Sequence, residues 1–195
     1  MKTFRQFFVE NNGNRKLAIC DVQPEYAKNI SFDMHEFCKF AMSYPEVYVL
    51  YNGPDLGFGN AQSIGRWYNE FGVPFKVLRN WKWFEKNYAW FRDLMDQGCW
   101  HKSHLVRLAR YMINQRKWDW RDLKKADFAK LKIPDITIKL VHQYNFHIPD
   151  LVFRIKRLNG ADICGGGVNE CLDEVMILAE AMHVQLNIIN EWTYG

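Results

Sequence analysis

Apolar residues recur along this chain in two rhythms, short continuous runs and stripes at helical spacing. Residues 16–20 form a compact run, Lys16-Leu-Ala-Ile-Cys20, closed by Asp21-Val-Gln-Pro24, and Val47-Tyr-Val-Leu-Tyr51 form a second. Runs of this length predict buried strands, and Pro24 ends the pairing of the first because it has no N–H to donate. Between them, Phe37, Phe40 and Ala41 share one face of a helix predicted over 34–42. After the second strand, Ile64, Trp67, Tyr68 and Phe71 mark another helix, ended by Gly72, and residues 75–78 supply a third strand. Strand and helix alternate, which predicts a parallel sheet covered on both faces by helices.

From about 80 to 132 the alternation breaks. Phe84, Tyr88, Phe91 and Met95 predict one helix, Leu105, Leu108, Ala109, Met112 and Ile113 another, and the segment is expected to form a helical insertion or cap. Residues 135–141 then alternate as a strand with Lys139 near its end, and Pro149 opens a helix that carries Leu151, Val152, Ile155 and Leu158 inward. Asp162-Ile-Cys164 predicts a further strand, Gly165, Gly166 and Gly167 a sharp turn, and Leu172, Val175, Met176 and Ala179 a helix that begins at Cys171. Residues 185–189 close the pattern as a last strand.

Composition narrows this to one domain spanning 1–195: 195 residues with 48% hydrophobic and 25% charged content suit a single substantial core. The first 15 residues are polar, so neither a signal peptide nor a membrane anchor is predicted and a cytoplasmic address is the expectation. Five cysteines without framework spacing predict free thiols. A net charge of +4 favours anions weakly. The one local concentration of basic and aromatic residues is Trp100, Lys102, Arg107, Arg110, Arg116, Lys117, Trp118 and Trp120, which keeps a nucleic-acid or protein partner open beside a solvated basic face.

Three chemistry-bearing residues stand at comparable places: Asp21 after the first strand, Lys139 near a late strand's end, and Cys171 at a helix start, where amide donors and the helix dipole are expected to lower a thiol's pKa. The apolar strand ending in Asp21-Val-Gln23 and the turn Gly167-Val-Asn-Glu-Cys-Leu172 resemble the isochorismatase-like cysteine hydrolases, the superfamily of nicotinamidases and carbamoyl amidohydrolases. The turn is one residue shorter between valine and cysteine than in that family. Ile138-Lys139 followed by Tyr144-Asn-Phe146 is similar to the family's lysine strand. The resemblance covers roughly 16–51 and 135–190.

It implies a three-layer α/β/α fold of Rossmann-like topology and a hydrolase for a small amide, ureide or related planar C–N compound. Cys171 would be the nucleophile, Asp21 the proton acceptor and Lys139 the cation, with the amides of Asn169, Glu170 and Cys171 as oxyanion hole. Gln23, Tyr26, Asn52, Trp81, Trp83 and Phe146 are the candidate pocket. No Asp-x-His arrangement follows the second strand and no CxxC pair is present, so neither metal nor cofactor is expected. Glu170, next to the thiol, would oppose thiolate formation. Two other functions stay open: an inactive scaffold of the same fold that binds nucleic acid or protein, and a magnesium-dependent nuclease built on Asp21, Asp55, Asp162 and Asp173. A homo-oligomer is also open.

Overall fold

The computed structural model describes residues 15–52, 60–84, 102–143, 145–168 and 170–195, without the side chains of 52 and 82–84. Five parallel strands make one sheet: β1 (Lys16–Cys20), β2 (Glu46–Asn52), β3 (Leu78–Phe84), β4 (Ala161–Gly165) and β5 (Leu186–Ile188), in the order β3-β2-β1-β4-β5. Among the described residues the α-helices are α1 (Met34–Ala41), α2 (Ala61–Glu70), α3 (Lys102–Asn114), α4 (Lys125–Leu131), α5 (Asp135–Gln143) and α6 (Cys171–Ala181). Central β1 is apolar throughout because both of its faces are covered.

Side chains alternate across the sheet and divide the core in two. Leu17, Ile19, Val47 and Val49 face α1 and α2, packing on Phe37, Ala41, Ile64 and Tyr68. Ala18, Cys20, Tyr48 and Leu50 join the opposite core, built with Leu105, Leu108 and Met112 of α3 and Leu172, Val175 and Leu178 of α6. Asp33 and Asn60 cap α1 and α2 by accepting the amides of Glu36 and Ser63, each at 2.9 Å. The architecture is α/β with helices on both faces of a parallel sheet, as the alternation predicts.

Three predicted elements differ. Residues 135–143 form helix α5, not a strand: buried Thr137, Leu140 and Val141 fall at i, i+3 and i+4, and their β-branched neighbours give that stripe the look of alternation. Residues 75–77 make a 3-10 turn, and β3 runs on from Leu78 to Phe84, into the segment expected to be wholly helical. The helix expected after Pro149 is two 3-10 turns, Asp150–Phe153 and Ile155–Leu158, separated at Arg154 by a φ of −123°. The predicted helix at 84–95 lies outside the described residues.

The amino end of the sheet holds a buried carboxylate. Asp162 accepts hydrogen bonds from Arg15 at 2.5 Å, from the Tyr44 hydroxyl at 2.6 Å and from Asn187 at 3.4 Å. A carboxylate with no exposure needs those donors. Tyr44→Phe is therefore expected to lower stability by about 1–3 kcal/mol in urea titration, since it strips one donor from a buried charge.

Candidate active site

The chain leaves β1 for β2 and β3 on one side and returns to β4 on the other, so its connections diverge at the carboxyl edge between β1 and β4. Open α/β sheets hold ligands at such a point. Asp21 sits there as the first residue past β1, in left-handed backbone geometry with φ of 51°. Two hydrogen bonds hold its backbone: its N–H donates to the Leu50 carbonyl at 2.8 Å, and its own carbonyl accepts from the Tyr194 hydroxyl at 2.7 Å. An aspartate forced into this region costs of order 1 kcal/mol, a strain the surrounding structure must hold in place.

Across from it, Gly165 and Gly166 turn the chain with φ of 75° and 62°. The Gly167 carbonyl then accepts the amides of Glu170 at 3.0 Å and Leu172 at 3.4 Å, and Cys171 begins α6. The segment ending in Tyr194 crosses this turn, its N–H bonded to the Gly166 carbonyl and its carbonyl to the Val168 N–H. Cys171 is 4% exposed and has Asp21 as a close electrostatic neighbour. Burial raises the thiol's pKa far above its ordinary value, and Asp21, Cys20 and Glu174 raise it further. Desolvation and the neighbouring Asp21 oppose the thiolate that the helix start was expected to favour.

One helical turn on, Glu174 is 6% exposed, and neither carboxyl oxygen has a hydrogen-bond partner among the described residues. Burial first, then Asp21 and Glu170, hold its pKa well above the usual 4.5. The folded state keeps this proton where the unfolded chain has lost it. Stability from this group is therefore complete below about pH 4.5 and falls as pH rises toward the folded pKa, by at most ~1.4 kcal/mol per unit. Glu174→Gln should flatten that decline when melting temperature is measured from pH 5 to 8.

The remaining predicted site residues separate. Lys139 lies on the exposed face of α5, not at a strand end, so the predicted triad loses its cation with the strand that was to carry it. The Glu170 amide is engaged by Gly167, which removes it from the expected oxyanion hole; the Cys171 amide, first in its helix, makes no backbone hydrogen bond among the described residues. Asn169 and the side chains of Asn52 and Trp83 lie outside the described residues. Gln23 is fully buried two positions past Asp21, and Tyr26 ends the 3-10 turn Pro24–Tyr26 half-buried. Trp81 is a core residue against Tyr48, ring centroids 4.6 Å apart, and not a pocket wall. Phe146 is buried and lines a narrow recess shared with Glu174.

One buried acidic residue escapes the sequence reading. Glu174 is signalled by its spacing, three positions after Cys171 on one helix face.

Among the described residues the nuclease carboxylates do not converge. Asp162 is spent at the amino end of β4, Asp173 pairs with Lys102 at 2.5 Å, and Asp55 lies outside the described residues. The basic segment is partly spent as well: Arg110 donates to the Glu180 carbonyl at 3.0 Å, Lys117 pairs with Asp127 at 2.7 Å, and Trp120 stacks on His142 at 4.4 Å. Among the described residues no helix is long and apolar enough to cross a membrane, and no three His, Cys, Asp or Glu side chains are grouped to hold a metal ion. No protein-family model, curated protein or solved structure matches this chain.

Proposed function

We propose that the protein is a cysteine-dependent hydrolase, of the isochorismatase-like kind, acting on a small amide, ureide or related planar C–N compound. The observation that carries this is the placement of Asp21 and Cys171 as neighbours at the point where the sheet's connections diverge. As Cys171 Sγ bonds to the substrate's carbonyl carbon, its proton passes to Asp21 and the carbonyl becomes an oxyanion, with the Cys171 amide as a donor. Collapse of the tetrahedral intermediate breaks the C–N bond, and Asp21 returns the proton to the departing nitrogen. Water then cleaves the thioester, with Asp21 as base, and frees the thiol and a carboxylic acid. A thiol that is neutral at rest and ionises only as it attacks is compatible with this sequence of steps.

The test is a panel of small amides and ureides followed by intact-mass detection of an acyl adduct on the Cys171 peptide. Lys139→Ala is expected to leave turnover unchanged, since Lys139 lies on the exposed face of α5. Turnover that survives Cys171→Ala would overturn the proposal.

A further inference from the structure

We propose that the exposed face made by residues 116–118 and the two 3-10 turns at 150–158 binds single-stranded nucleic acid, with bases stacking on Trp118 and Phe153 and phosphates pairing with Arg116, Arg154, Lys156 and Arg157. The burial pattern of the turns creates this face. Leu151, Val152, Ile155 and Leu158 are buried, which leaves Phe153, Arg154, Lys156 and Arg157 in solvent. Phe153 is 69% exposed, and its ring lies against that of Trp118, itself 38% exposed, with centroids 5.3 Å apart and planes at 55°. Two large rings held side by side in water mark an interaction surface more strongly than a lone exposed residue does. The backbone beneath them is fixed: the Trp118 carbonyl accepts from the Ile148 amide at 2.8 Å, and the Trp118 N–H donates to Asp122 at 3.2 Å. A platform already in place loses little freedom when a ligand arrives.

Charge selects the ligand. The acids next to Trp118 in the chain are engaged: Asp119 holds Arg121 through hydrogen bonds of 2.8 and 2.7 Å, and Asp122 accepts the amides of Trp118 and Asp119. Among the described residues, Arg116, Arg154, Lys156 and Arg157 make no ion pair, and Asp150 is the one acid of 116–122 and 150–157 left uncommitted. The cations call for an anion, and the rings call for planar groups that stack on an aromatic face. Single-stranded nucleic acid supplies both along one chain. A duplex keeps its base faces covered, and an acidic peptide or an anionic membrane meets the cations alone. A second copy of this chain on a two-fold axis would set the cationic face against itself. The basic, aromatic segment expected around 100–120 is thus partly redrawn: Arg116 and Trp118 stay in it, completed by Phe153 to Arg157 from beyond α5. The inference does not rest on the hydrolase reaction.

The experiment is fluorescence anisotropy of labelled oligothymidylate, oligouridylate and a DNA duplex, each of about 12 nucleotides, titrated with the full chain. Either single strand is expected to bind at least about tenfold more tightly than the duplex, and the preferred sugar tells DNA from RNA. The logarithm of affinity should fall with the logarithm of salt concentration at a slope of about −3, each of four phosphate contacts giving roughly −0.7. Phe153→Ala should weaken binding about tenfold, the loss of one stacked base, while Phe153→Trp, which keeps a ring face, should hold affinity within about threefold. Arg154→Ala should make the salt slope shallower by about 0.7. Both side chains are exposed, so circular dichroism should show the variants folded. No saturable binding, a duplex bound as tightly as a single strand, or affinity untouched by Phe153→Ala and Arg154→Ala would each overturn the inference. Displacement of the single strand by polyglutamate or by phosphatidylserine vesicles at equal charge would overturn it too, because charge alone would then explain the binding.

Discussion

Gly165→Ala is expected to cost more than ~3 kcal/mol and to leave little folded protein at physiological temperature. Gly165 has a φ of 75°, a left-handed conformation that costs an alanine about 1–2 kcal/mol. A Cβ there would also lie 2.3 Å from the Cys20 carbonyl oxygen and 2.6 Å from a Val22 methyl. The first of these is backbone on the neighbouring strand, paired in register with Gly165 itself, so relief means prising β4 from β1. Gly160→Ala is the control: its φ of 76° is equally left-handed, yet nothing stands within 4 Å of its added Cβ. Urea titration should show a loss of about 1–2 kcal/mol for the control and at least twice that for Gly165→Ala. Equal losses would mean that strain alone, and not the closeness of the two strands, sets the cost.

Asp21→Asn should lower turnover by about 10²–10⁴-fold while the protein stays folded. The backbone that positions residue 21 is held by Leu50 and Tyr194 through main-chain atoms, which asparagine keeps, and asparagine tolerates left-handed geometry. What it loses is the capacity to take the thiol's proton. Turnover and iodoacetamide labelling of Cys171 should therefore move in opposite directions in this variant. Labelling should be slow near neutral pH in the parent because burial and Asp21 disfavour the thiolate. Removing the Asp21 charge weakens that opposition, so Asp21→Asn should label faster though it turns over more slowly. A fall in both together would indicate a disturbed fold, to be checked by circular dichroism.

Most of the sheet is legible in the sequence because buried parallel strands are short apolar runs, as β1, β2 and β4 show. Asp21 and Cys171 can be placed since each follows closely on a strand, and a sheet edge turns that adjacency into proximity. Lys139 fails for a physical reason: Ile136, Ile138 and Leu140 alternate like a strand, whereas burial follows Thr137, Leu140 and Val141, a helical stripe. Burial depth is the other thing hidden. A helix-start cysteine can be activated or suppressed, and the neighbouring charge, Asp21, comes from about 150 positions earlier in the chain.

The central strand also dictates when the molecule can be made. β1 is complete near the start of the chain, but one of its two partners is β4, and the Arg15–Asp162 ion pair closes across 147 positions. Closing so long a loop is slow, and contacts of this separation reward the chain late. On the ribosome, β1 must therefore wait with one apolar edge open while the intervening residues are synthesised, and the Tyr194 bond to Asp21, 173 positions away, forms later still. Translation paused between β3 and β4 should accordingly yield an aggregation-prone nascent chain, recovered by a chaperone that shields β1 until β4 emerges.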